Sequence, residues 1–304
     1  MPRRPSRRRA SHRWPRAQPR QPSRDIPHGA AEPNRPRPTE RWGGSAALSW
    51  PFDPTVYAGL LLLALAYAAL ARGRHDIGRR QSLYFAAGLL TIWVALETPI
   101  DTVSDHYLQS VHMLQHVLLG LVAPPLLLLA LSPSLVATLL RIPGLRAATE
   151  PVPAQLAFAV VMGAWHLPFL YDLAVRSEGV HVFEHLTFMT GGALFWWPVV
   201  GVTSAAARWR LGEVGRVLYL VFGTVPADTV AVILMFARSP FYPFYEQAPR
   251  LVTGLDPLTD QVLAGVVLMA VGKLSYLVAI LEIFFRWLAR ARAEEAAPEV
   301  LASP

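Results

Sequence analysis

The chain has 304 residues, of which 53% are hydrophobic and only 16% charged, with a positive mean hydropathy; this excludes an ordinary soluble domain. It contains no cysteine, which excludes disulfides, thiolate metal sites and cysteine nucleophiles, so any metal must be held by His, Met or carboxylate. The formal net charge of +7 does not point to nucleic acid as a partner, because 12 of the 28 basic residues are arginines within the first 41 positions and the remainder is close to neutral.

Residues 1–49 are rich in Arg, Pro and Ser, a composition that buries too little apolar surface to fold, and they are expected to be disordered. They carry no apolar h-region of their own, so a cleavable signal peptide is not expected. Residues 50–289 hold long, nearly charge-free runs, each near the roughly 20 residues that span a bilayer core. Seven spans are expected, at about 55–71, 82–100, 108–130, 152–175, 180–202, 217–237 and 260–288, giving an all-α polytopic bundle. Pro124-Pro125 should break or kink the third. A longer loop, 238–259, is rich in aromatics and prolines; its FYPFYEQ stretch is a candidate lid or docking surface. A short tail, 290–304, closes the chain. Asp228 in the sixth span and Lys273 in the seventh are expected to form a structural ion pair, since lone charges are costly in hydrocarbon.

Basic residues orient the bundle. The links 1–2, 3–4 and 5–6 and the C-terminal segment carry 12 Arg, whereas the links 2–3, 4–5 and 6–7 carry three. The C-terminus is therefore expected in the cytoplasm, with the histidines described next towards the outer face. Translocating the arginine-rich N-terminal tail runs against this orientation.

With the spans oriented, five histidines share one leaflet. His112 and His116 sit in the outer half of span three, His166 in that of span four, and His181 and His185 in the first two turns of span five. His106 lies in the loop just above them. Both i,i+4 pairs stack on one helix face, about 6 Å apart, close enough for two imidazoles to reach one ion. Packing alone explains a single interfacial histidine; two such pairs and a third-helix histidine at matched depth point to metal. Met162 and Met189, each four residues deeper than a histidine, are candidate soft auxiliary ligands, and thioether with imidazole favours Cu(I). Glu97, Asp101, Asp105, Asp172, Glu184 and Asp260 gather at the same level, as partners that orient imidazoles or as a cation-collecting mouth.

Other classes fit less well. A membrane electron carrier would ligate haem b through one histidine per facing helix, which the i,i+4 pairing disfavours. A cation permease would need polar residues through the full depth, and the inner halves are nearly all apolar. No nucleophile–base pair or cofactor loop is legible, so an enzyme is not expected. A metal-free scaffold remains open.

The motifs HMLQHVLLGLVAPPLLLL, WHLPFLYDLAV, GVHVFEHLTFMTGGALFWWPV and LTDQVLAG occur in this order, and the chain from Trp50 to Trp287 resembles the CtaG family of caa-type cytochrome c oxidase assembly factors, bacterial integral membrane proteins. The resemblance implies a role in maturing the oxidase, with copper delivered to its catalytic subunit. Its motif residues fall on His112, His116, His166, His181, His185, Asp260 and Gln261. The arginine-rich tail and VGKLSY at 271–276 depart from the pattern. On this reading copper arrives from a periplasmic donor, is captured near His106 and the carboxylates, is held by the five histidines with Met162 or Met189 and Asp260 as auxiliaries, and passes to the nascent subunit.

Overall fold

A computed structural model describes residues 48–205 and 208–296, all of which fall in one unit, Arg41–Pro304. Most of the tail expected to be disordered, 1–47, and the end of the C-terminal tail, 297–304, lie outside the described residues. Every regular element among the described residues is helical, and no strand occurs there.

Helix α1 (Pro54–Ala71) starts at Asp53, whose carboxylate accepts from the Thr55 amide at 2.7 Å, with Pro54 pre-set for the first turn. It is apolar all round and has no buried residue, the pattern of a helix that meets lipid. It is pinned near both ends. The Asp53 amide donates to Glu97, the Tyr67 ring stacks on Phe85 at 4.0 Å, and the Tyr67 hydroxyl donates to the Ala130 carbonyl at 3.0 Å.

Helix α2 (Arg79–Leu96) is followed by α3 (Pro99–His106) at a 44° bend, where Thr98 caps and Pro99 opens the new helix. The expected break at Pro124-Pro125 takes a different form. Helix α4 (Gln109–Val117) runs into a π-helical turn, Leu118–Val122, and continues as α5 (Ala123–Leu129), so that Gln109–Leu129 remains one 21-residue stretch. The wider turn resets the hydrogen-bond register just before two residues that lack an N–H, and so absorbs the prolines without a sharp kink. The Gly120 carbonyl, which has no α-helical donor because residue 124 is proline, lies against Gly192 on a neighbouring helix.

Two short helices, α6 (Pro133–Leu139) and α7 (Leu145–Ala148), lead to α8 (Pro151–Trp165). The fourth expected span is not one straight helix. It turns by 75° at His166-Leu167 into α9 (Pro168–Arg176), because the residue before a proline is driven to extended geometry, here φ −65° and ψ 130° at Leu167. Helix α10 (Glu178–Trp196) follows, then the short α11 (Gly201–Ser204), α12 (Glu213–Gly223) and α13 (Val225–Phe236), a loop helix α14 (Pro243–Gln247), and α15 (Pro257–Ala296). The last helix has 40 residues, about 60 Å long, and runs past the expected end of its span.

Four stretches are long and apolar enough to cross a bilayer: Pro54–Ala71, Gln109–Leu129, Glu213–Phe236 and Pro257–Glu295. Counting each bent pair as one span gives six. Helix α10 falls outside this set, and its first two turns show why: Glu178, His181, Glu184 and His185 carry a polarity that hydrocarbon penalises.

The largest core packs α4, α8, α10, α13 and α15 around Met113, Val117, Phe158, Phe188, Phe195, Leu234 and Leu268. The expected Asp228–Lys273 ion pair forms, at 3.2 Å. The two ends of the bundle differ chemically. At one end Arg74 donates to Thr138, Asp76 accepts from Ser134, Glu150 accepts from the amides of Arg208 and Trp209, and Arg290 pairs with Glu213. The Ser134 amide beside Asp76 holds that exposed carboxyl below its ordinary range. The other end gathers Glu97, Asp101, Asp105, Asp172 and Asp260 with the histidines.

A Cβ on Gly192 would overlap the Gly120 carbonyl oxygen, which is backbone, and come 2.9 Å from Cγ of the Pro124 ring, neither of which can swing aside. Gly192→Ala is therefore expected to destabilise the protein by about 3 kcal/mol, whereas Gly163→Ala, where a Cβ meets nothing within 4 Å, should be neutral or better. Thermal unfolding of the two variants in detergent checks the difference.

Candidate metal centre

The centre lies where α4, α9, α10 and the 238–256 loop converge, and each histidine reaches it through local backbone chemistry. Helix α4 begins at Leu108 without a side-chain cap of its own. The cap comes from Asp260 at the start of α15: its carboxylate accepts from the Gln109 amide at 2.7 Å, the Ser110 amide at 3.3 Å and the Ser110 hydroxyl at 2.5 Å. A buried carboxylate at a helix N-terminus satisfies orphan amides and suits the helix dipole. Asp260, expected as an auxiliary ligand, thus spends its oxygens on holding the helix that carries His112 and His116.

A second clamp is Gln115. Its amide donates to the Ala95 carbonyl at 3.0 Å and to Asp101 at 2.9 Å, joining α2, α3 and α4, while its oxygen lies 3.1 Å from a Ser104 hydroxyl that has the Asp101 carbonyl and the Asp105 carboxylate nearer, each at 2.8 Å. Gln261 fixes the loop, accepting from the Phe241 amide at 2.7 Å. Asp172 on α9 accepts from the Phe244 amide at 2.9 Å. Between these ties α14 is drawn over the centre, where Tyr242 and Tyr245 are each 2% exposed and Tyr171 stacks on Tyr242 at 4.0 Å. The FYPFYEQ stretch is thus a lid.

The five expected histidines are all buried and come together, with ring centroids of neighbouring pairs 4.1 to 6.5 Å apart. Their hydrogen bonds assign tautomers. The Tyr245 hydroxyl gives its single proton to the Ser104 carbonyl at 2.7 Å, so towards His112 Nδ1, at 3.1 Å, it can only accept. His112 therefore carries its proton on Nδ1 and bears its lone pair on Nε2. His166 is fixed in the same way. Its Nδ1 donates to the Met162 carbonyl at 2.7 Å, leaving an Nε2 lone pair 3.3 Å from the Met113 sulfur. A partner on one ring nitrogen that leaves the other bare is the arrangement that prepares an imidazole for a metal.

His112 Nε2 and His116 Nε2 lie 2.8 Å apart, and His116 donates in that contact because His112 Nε2 has no proton. Glu184 on α10 faces both, with oxygens 3.4 Å from His116 Nε2 and 3.8 Å from His112 Nε2. Neither Glu184 oxygen, nor His116 Nδ1, His181 Nε2 or His185 Nε2, has a hydrogen-bond partner among the described residues, although all are buried. Unsatisfied buried donors and acceptors are costly, and so many in one place ask for a ligand. Tetrahedral bonds of about 2 Å separate ligand atoms by about 3.3 Å, so the Glu184 distances lie at that spacing for His116 and about half an ångström beyond it for His112. The His112–His116 contact is shorter, as befits a hydrogen bond. His112, His116 and Glu184 form one potential chelating trio and Asp105, His112 and His181 a second, the donors of each within 4.8 Å of one another.

The remaining candidates sit as follows. Met162 takes part through its backbone carbonyl, while Met189 lines a side cavity with His181 and His185. His106 is exposed at the last turn of α3. The sequence reading missed Met113, Gln115 and Tyr245, and did not single out Glu184 as a ligand. Met113 was within reach, since it lies between His112 and His116 at angles that keep it on the same side of the helix. The hydroxyl of Tyr245 carried no signal, because it arrives from a loop 133 residues away.

A sequence model of the cytochrome c oxidase caa3 assembly factor family matches residues 61–290. Uncharacterised proteins of Mycobacterium bovis and Mycobacterium tuberculosis are each 24% identical over 265 residues, covering 78% of this chain and 39% of their own length. The chain thus spans about two fifths of the curated relatives it matches. No solved structure matches.

Tyr245→Phe removes the oxygen that fixes His112 and leaves the Ser104 carbonyl without this donor. Affinity for a metal ion at the centre should fall about 10- to 100-fold with the helical content unchanged, as read by chelator competition alongside circular dichroism.

Proposed function

The chain belongs to the cytochrome c oxidase caa3 assembly factor family, and from that premise we propose that it carries copper to the catalytic subunit of a haem-copper oxidase during assembly. The observation that bears most of this reading is the trio His112, His116 and Glu184, buried, mutually close and short of hydrogen-bond partners. Copper is the cargo here and not a resident cofactor.

The donors favour a borderline or soft ion. Two imidazoles and a carboxylate suit copper, zinc, nickel and iron alike. The Met113 thioether, 3.3 Å from the bare nitrogen of His166, adds the soft donor that distinguishes Cu(I). Imidazole rings packed against one another also leave no slot for a macrocycle, which supports a small ion over haem. A trio of firm donors with His166, His181 and His185 close by suits a carrier, which has to give up its ion to a better-furnished client.

The topology in this reading has seven crossings: the four long apolar stretches, the two bent pairs, and α10, whose His181, Glu184 and His185 are buried within the protein. The arginine-bearing end faces the cytoplasm of a bacterial plasma membrane and the histidine end faces outward. Beyond the exposed Glu178 and Gly179 at its outer end, the polar half of α10 then meets hydrocarbon through Val182, Phe183 and Leu186.

An oxidase matured beside the His112→Ala/His116→Ala protein should contain less than about a tenth of its normal copper, measured by metal analysis of the purified oxidase. The single Glu184→Gln protein should fall between this and wild type. Full copper in the oxidase beside the double variant would remove the carrier role and leave a scaffold. A Soret band in the purified assembly factor would instead make it a haem protein.

A further inference from the structure

The lid closes the centre from above. With Tyr242 and Tyr245 each 2% exposed and His112 and His116 at 0% and 2%, an ion cannot reach the trio from that side without displacing α14. A cavity of about 390 Å³ opens instead at the side of the bundle, walled by α1, the end of α2, and α10. It exists because α1 is held near its ends by Glu97, Phe85 and Ala130, while Gly59, Leu60 and Leu63 between them stand off α10.

His181 and His185 both line this cavity. They are 9% and 7% exposed, and the Nε2 atom of each has no hydrogen-bond partner among the described residues. Beside His181 stands Asp105, 3.4 Å from its Nδ1, about the spacing of two donors on one ion. Asp53, Asp101 and Glu178 also line the cavity, so its carboxylates raise the local concentration of cations. Met189 lies on the same wall.

We propose that this side cavity is the passage by which copper enters and leaves the centre, with His181 and Asp105 as the first chelating station and His112 as the donor shared with the second. The proposal rests on the copper-carrying reading above and adds a route to it. The two trios, Asp105–His112–His181 and His112–His116–Glu184, have His112 in common, and within each the donor atoms lie within 4.8 Å. An ion can therefore pass from one to the other by exchanging ligands around a single imidazole, never fully released. Because His112 serves both, the two stations hold one ion between them.

The test uses the full chain purified in detergent and loaded anaerobically with Cu(I), with uptake followed in time against a colorimetric Cu(I) chelator. Gly59→Trp adds bulk to the cavity wall where a Cβ now meets nothing within 4 Å, and replaces no chelating residue. Uptake should slow on the order of ten-fold with final occupancy unchanged at one ion, while Gly163→Trp, on an exposed face of α8 away from the cavity, should load like wild type. Asp53→Asn/Glu178→Gln, which keeps the α1 cap, tests the route without bulk: uptake should slow and lose part of its dependence on salt. Equal uptake rates for wild type, Gly59→Trp and Asp53→Asn/Glu178→Gln would overturn the passage and leave the carrier reading standing. Two ions held at once would overturn the shared-ligand relay. No copper taken up by the wild-type chain would overturn the carrier reading and the passage with it.

Discussion

The hydrogen bond between His112 Nδ1 and the Tyr245 hydroxyl, 3.1 Å long, joins residues 133 apart and sets the chemistry of everything around it. It works only because Tyr245 has already given its proton to the Ser104 carbonyl on α3, and α3 is tied in turn to the helix of His112 by the Gln115 amide, which donates to Asp101. An imidazole buried without such a partner would be free to choose its tautomer, and half of its choices would present an N–H, not a lone pair, to an ion. The loop, α3 and α4 are therefore coupled through a single proton position. In water the same contact would be one exchangeable bond among many. Inside an apolar bundle the alternatives are all worse, which is what gives it authority over the site.

Much of this could be read from the amino acids, for a physical reason. Histidine is so poorly tolerated in hydrocarbon that its depth in a span is informative, and five at one level on three spans had to meet. The Asp228–Lys273 pair follows from the same cost applied to two charges. What escaped was whatever depends on backbone accommodation or on long-range arrival. Pro124-Pro125 signals trouble for a helix but not its remedy; a π turn upstream is one of several ways to spare the carbonyls. The 75° turn at His166 was written in Pro168, yet continuous hydropathy from 152 to 175 outweighed it. Asp260 has the composition of a ligand, and only the position of the α4 N-terminus shows that its oxygens are engaged elsewhere. Glu184 is the reverse case, a carboxylate grouped with the outer acids that sits between two imidazoles.

The contrast between the ends of the bundle gives the centre its setting. Arginines and their partners hold the links together at one end, while carboxylates and histidines occupy the other. Between them the helices are mostly apolar, with Asp228 and Lys273 neutralising each other. Charge is thus partitioned along the axis, and the polar chemistry of the site does not have to be insulated from a second polar region within the same span.

The 2.8 Å contact between His112 and His116 has a consequence for how such a site trades ions. The two nitrogens that face each other share one proton, and they are the same atoms a metal would need. A cation that takes both must first evict that proton, either to His116 Nδ1, which has no acceptor among the described residues, or towards Glu184. Occupancy by metal and occupancy by proton are then linked quantities, each lowering the other's hold on the pair. A departing metal would be replaced by a proton, which restores the buried hydrogen bond. Discharge would then leave behind no bare pair of lone pairs, and a carrier built on this contact would exchange one cation for another.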